Sequence, residues 1–99
     1  MTKTLAIDFD GVLHDHKNPI ENKRMGLPIK DAKLSMMRLH ALGHTLIIHT
    51  VRGDRPDHVQ AWLEYYEIPY HEITRLKPEA DIYLDDRAQV FTSWDTVQI

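Results

Sequence analysis

A chain of 99 residues has room for one domain with a modest but self-sufficient core. Its apolar share of 42%, charged share of 27% and net charge of −3 are ordinary for a soluble globular protein, and argue against a membrane span or a dedicated nucleic-acid binder. With no cysteine there is no disulfide framework, thiolate nucleophile or Cys-type zinc site, and a cytoplasmic location is the simplest expectation.

The N-terminus lacks a signal-peptide apolar region, and Thr2 to Asp8 reads as a buried strand. Val12 to Leu27, holding Asn18-Pro19 and Gly26, reads as a loop or flap with room for a short hairpin. Pro28 is placed to open a helix through about Leu42, with Ile29, Ala32, Met36 and Leu39 near helical spacing and Gly43 just past its end. His44 to Thr50 is a second apolar strand. Asp54 and Pro56 mark the start of a second helix with the stripe Val59, Trp62, Leu63 and Tyr66, and Pro69 lies beyond its end. Tyr70 to Thr74 and Asp81 to Leu84 are short third and fourth strands. Arg87 to Phe91 and Trp94 to Ile99 read as closing helical turns. This alternation predicts an α/β domain, residues 1–99, with a parallel sheet.

Asp8-Phe9-Asp10-Gly11 leaves the end of the first strand. In extended chain residues i and i+2 project to the same side, so Asp8 and Asp10 can face one site while Gly11 lets the backbone turn. Two like charges so close need a cation or a shared proton, which points to a Mg²⁺ phosphate site; a capping or turn role is the alternative. In open α/β sheets ligands bind beyond the carboxyl ends of the strands. Thr50 ends the second strand, Asp85 and Asp86 end the last, and Lys77 precedes it. Arg52, two residues past Thr50, and His14, four past Asp10, are candidates to touch substrate. Arg52 could equally pair with Asp54, and Trp62, Tyr65 and Tyr66 read as helix-to-sheet packing. From Lys17 to Arg38 six basic residues stand against two acidic ones, a net +4 that leaves −7 for the rest. That segment is either an attractor of phosphorylated substrate or a solvated face.

The ordered set Ile7-Asp8-Phe9-Asp10-Gly11-Val12, Ile47-Ile48-His49-Thr50, Lys77-Pro78 and Ile82-Tyr83-Leu84-Asp85-Asp86-Arg87 resembles the four motifs of the haloacid dehalogenase (HAD) superfamily of phosphatases and phosphotransferases, in its small cap-less form. The resemblance implies a three-layer α/β/α Rossmann-like fold with four mostly parallel strands, the first central, and no cap domain. It implies that Asp8 is the nucleophile and that Asp10 is the general acid and then base, a role favoured by crowding of like charges. Thr50 and Lys77 would then bind the transferring phosphoryl group, with Gly11 beside it. Mg²⁺ would be held by Asp8, the Asp10 backbone carbonyl and Asp85, with Asp86 direct or through water. The implied activity is a phosphomonoesterase working through an aspartyl-phosphate. Alternatives are a phosphotransferase or polynucleotide-end phosphatase on the same site, or a non-catalytic phosphate- or metal-binding scaffold. Neither gap between motifs is long enough for a cap, so the site is expected to be open to a large phosphorylated substrate such as a nucleic-acid end or a protein. A homo-oligomer partner, another protein or closure of the basic flap would supply the lid.

Overall fold

The structure, a computed structural model, describes residues 2–19, 25–50, 56–76, 78–85 and 93–97. Strand β1, Thr4–Asp8, buries Leu5, Ala6 and Ile7, three consecutive residues that alternate between the two faces of a sheet. Both faces are therefore covered at β1, which is why its sequence is a continuous apolar run. After β1 the chain makes a two-stranded antiparallel hairpin from β2, His14–Pro19, and β3, Gly26–Pro28. Helix α1, Ala32–Ala41, follows, then β4, Thr45–His49, and helix α2, Pro56–Tyr65. The short strands β5, Glu72–Thr74, and β6, Ile82–Leu84, and a 3₁₀ turn at Trp94–Thr96 complete the described elements.

Four of these strands form one sheet in the order β5-β4-β1-β6, with every pairing parallel. The chain moves outward from β1 to β4 and β5, then returns to β6 on the other side of β1. That reversal places a switch point at the carboxyl end of β1. The α/β class, the parallel sheet and the inner position of β1 agree with the expectation from sequence. Among the described residues no helix is long and apolar enough to cross a membrane.

Helix α1 buries Ala32, Met36 and Leu39, and α2 buries Val59, Trp62 and Leu63; both sets have i, i+3/i+4 spacing and pack with Leu5, Ile7, Leu46 and Ile48 in one core. Each such aliphatic side chain is worth roughly 1.5–3 kcal/mol when fully removed from water. Helix α1 starts four residues later than Pro28, the start expected from sequence. Pro28 pairs with His14 in the hairpin, and the Ile29 N–H donates to the Leu13 carbonyl at 2.8 Å, so the chain stays extended there. The N-cap is Asp31, at φ 68° and without a side-chain capping bond. The start expected for α2 at Asp54 lies outside the described residues, as does the closing turn at Arg87 to Phe91.

Both helices end in the same way. His44 N–H reaches Leu39 O at 3.2 Å and Gly43 N–H reaches His40 O at 3.0 Å; Ile68 N–H reaches Leu63 O at 2.9 Å and Glu67 N–H reaches Glu64 O at 3.1 Å. These are Schellman caps, which need a left-handed residue at the turn. Gly43 meets that need at φ 90°, whereas Glu67 meets it at φ 57° against its own Cβ. Opposite outcomes follow. Gly43→Ala costs about 1–2 kcal/mol, since its Cβ also meets Thr2 Cγ2 at 3.0 Å. Glu67→Gly gains about 0.5–1 kcal/mol, because its 3.9 Å contact with Lys33 is solvent-exposed and weak. Urea midpoints of the two variants check both signs, and equal signs would refute the cap assignment.

The amino ends of the strands carry a third device. Asp81 N–H donates to Thr4 O at 2.8 Å while Asp81 Oδ2 accepts from Thr4 N–H at 2.7 Å. His71 does the same to Leu46, donating its N–H at 2.8 Å and accepting at Nδ1 at 2.9 Å. His44 Nδ1 accepts from Lys3 N–H at 3.0 Å, and Thr45 N–H donates back to Lys3 O at 2.9 Å. A side chain thus completes the ladder where each neighbouring strand begins.

Candidate functional site

Asp8 is the last residue of β1, paired with His49 of β4; on the other side Ile7 pairs with Leu84, the last residue of β6, so Asp85 comes directly after that strand. Thr50 follows directly on β4, its N–H bonded to Thr74 O at 3.0 Å and its surface 1% exposed. Asp8, Thr50 and Asp85 therefore leave three neighbouring parallel strands at one rim, two half-buried carboxylates and a buried hydroxyl.

Beyond Asp8 the chain folds into a tight turn. Phe9 N–H continues the ladder to His49 O at 3.1 Å, and Phe9 O accepts from both Leu13 and His14 at 3.0 Å. Gly11, at φ 87°, donates its N–H to His14 O at 2.9 Å; this is the turn-making role its sequence position predicted. Phe9 is fully buried while Asp8 and Asp10 are half-buried on either side of it. The alternation keeps both carboxylates at the rim, with Phe9 as the anchor between them.

His14 is where the structure departs from the sequence reading. A candidate from sequence to touch substrate, it is 1% exposed, and both ring nitrogens are engaged within the chain. Nδ1 lies 2.7 Å from Asp10 Oδ1, and Nε2 accepts from Gly26 N–H at 2.7 Å. Aromatic rings enclose it: Phe9 stacks on it with centroids 5.0 Å apart, and Trp62 meets it edge-on at 5.4 Å. Trp62 in turn donates Nε1–H to Gly26 O at 2.9 Å and contacts Tyr66 at 5.0 Å, as packing residues do. Tyr65, grouped with them from sequence, meets Tyr66 edge-on at 4.9 Å but is 79% exposed, so it lies at the outer margin of that packing. Trp94 donates to Val12 O at 3.1 Å, which ties the 3₁₀ turn to the loop after the motif.

Arg52, Lys77, Asp86 and Arg87, and the basic pair Lys23-Arg24, lie outside the described residues. Among the described residues no three His, Asp or Glu side chains gather as a metal-binding group. What Asp8, Asp85 and a backbone carbonyl offer is an oxygen-only set, the kind a hard divalent cation accepts while retaining several waters. His14 adds no nitrogen to it, both of its ring nitrogens being engaged. No hydrogen-bonding atom of a buried side chain is left unsatisfied among the described residues.

Neither a scan against protein-family models nor a search of curated proteins returns a match. Two solved structures are similar. A conserved protein from Bacteroides thetaiotaomicron is 28% identical with a TM-score of 0.73, over 90% of this chain and 79% of its own. A protein from Vibrio cholerae is 29% identical with a TM-score of 0.60, over 87% of this chain and 81% of its own. The chain shares its small α/β architecture with both.

Proposed function

We propose that this chain is a Mg²⁺-dependent phosphomonoesterase of the HAD type, with the three-layer, cap-less arrangement that the motifs imply. The observation that carries the reading is the convergence of Asp8, Thr50 and Asp85 at the carboxyl ends of adjacent parallel strands, with Asp10 on the turn beside them. A capping or turn role explains one such residue at a time; it does not explain why residues so far apart in sequence share one rim.

In this reading an Asp8 carboxylate oxygen attacks phosphorus, and the bond from phosphorus to the leaving oxygen breaks as the new one forms. Asp10 gives its proton to the departing oxygen, then takes one from the water that cleaves the aspartyl-phosphate. The Thr50 hydroxyl and the Lys77 ammonium hold the phosphoryl oxygens. Asp8, the Asp10 carbonyl and Asp85, with Asp86 beside it, would hold Mg²⁺, whose charge offsets that of the phosphoryl group. An open rim excludes water poorly and admits a large phosphate carrier, so a phosphorylated macromolecule is the favoured substrate class.

The test is a panel of phosphate esters assayed with and without Mg²⁺: an aryl phosphate, small alkyl phosphates, and 3′- and 5′-phosphorylated oligonucleotides. The expected result is Mg²⁺-dependent phosphate release from the aryl ester and from at least one of the larger substrates. Phosphate passing to an alcohol in place of water identifies a phosphotransferase. Inertness toward the whole panel, with Mg²⁺ or phosphate still bound, replaces the enzyme reading with a binding scaffold.

A further inference from the structure

A histidine buried to 1% exposure normally has a reason to be polar, and here the hydrogen bonds name it. A backbone N–H can only donate, so the Gly26 N–H at 2.7 Å requires a lone pair on Nε2 of His14. The ring proton then sits on Nδ1 and is donated to Asp10 Oδ1, 2.7 Å away. The ring cannot turn to other partners. Phe9 lies parallel to one face at 5.0 Å and 9°, and the Trp62 ring stands against it at 84°. Gly26 is fixed from both ends, because its carbonyl accepts from Trp62 Nε1–H while its N–H meets His14.

From this arrangement we infer that His14 is a positioning residue for Asp10, and that it makes the orientation of the Asp10 carboxyl depend on the seating of the β2–β3 hairpin. The inference rests on the phosphatase reading, in which Asp10 moves a proton to and from the reacting oxygens. His14 transfers no proton: it keeps Nδ1–H throughout, and the proton given to the leaving oxygen is that of Asp10. Its contribution is to hold one carboxylate oxygen so that the other part of the group is presented to substrate in one orientation. A displacement of about 1 Å at such a group costs on the order of 100-fold in rate.

The consequence is a dependence on leaving group. An alkoxide needs its proton as it departs, whereas a nitrophenolate leaves with little help. His14→Phe keeps the ring stack and removes both hydrogen bonds; His14→Asn returns a donor near the Nδ1 position alone. With Mg²⁺ present, His14→Phe is expected to lower kcat/KM about 100-fold on an alkyl phosphate and less than about 5-fold on nitrophenyl phosphate. His14→Asn is expected to recover about 10-fold of the alkyl activity. If the Phe variant does not fold, His14→Gln, which can keep the Gly26 bond and lose the one to Asp10, gives the same split. Equal losses on both esters, or none, in the presence of an active wild type overturn the positioning role and leave the phosphatase reading standing. A wild type inert toward these two esters and toward the phosphorylated oligonucleotides as well overturns the two together.

Discussion

On the proposed mechanism, Asp8→Asn is expected to abolish Mg²⁺-dependent hydrolysis of an aryl phosphate, lowering kcat by about 10³-fold or more, while the circular dichroism spectrum stays that of the wild type. The magnitude follows from the assigned role: a nucleophile has no substitute within the site, and removing one typically forfeits most of the chemical acceleration. An amide of the same shape cannot form the acyl phosphate and is a weaker cation ligand. The fold should survive, because Asp8 is half-buried at a strand end and the core residues Leu5 and Ile7 beneath it are untouched. Phosphate release and the far-ultraviolet spectrum are the two measurements. Wild-type turnover by this variant would remove Asp8 as nucleophile and, with it, the aspartyl-phosphate.

Trp62→Ala is expected to cause the largest loss of stability of any single truncation discussed. Its side chain is 6% exposed, meets the rings of Phe9 and Tyr66 at 5.0 Å, and gives its N–H to the buried Gly26. Truncating a buried Trp costs about 3–5 kcal/mol, part of which here is the carbonyl left without its donor. For a domain near 100 residues that corresponds to a fall in Tm of roughly 15–30 °C. Trp62→Phe, which keeps most of the ring volume and loses only the hydrogen bond, should cost about 1–2 kcal/mol. Thermal unfolding of the pair separates packing from the bond. A change below about 1 kcal/mol for the Ala variant would show that the hairpin and α2 are held together elsewhere.

How much of this was legible in the sequence depends on whether the signal is local. Strands β1 and β4 announce themselves as continuous apolar runs because both faces of a parallel strand are covered, and α2 announces itself through Val59, Trp62 and Leu63. The rim followed from the strand ends alone: Asp8, Thr50 and Asp85 are where the runs stop. The start of α1 was not legible, since Pro28 is as good an opening residue for a helix as it is a last residue for β3. Only pairing with His14, fourteen residues earlier, decides between them. His14 itself could not be assigned from spacing. Its distance of four residues from Asp10 gives contact on a helix, but here the contact comes from a turn built on Gly11, and burial comes from Trp62 on a distant helix. A histidine following Gly-Val-Leu, directly after the acidic motif, was the available clue.

The side chains that complete the ladder at the amino ends of the strands have a bearing on how the molecule can change. Asp81, His71 and His44 stand at one end of a sheet whose acids stand at the other, a strand length of about 16 Å away for five residues. Polar groups that fasten the strands and the acidic rim of Asp8 and Asp85 are therefore kept on opposite ends of the same scaffold. Variation at the first end can loosen or tighten the domain while leaving the charge pattern of the second intact. In so small a chain, that separation gives durability and chemistry independent routes of adaptation.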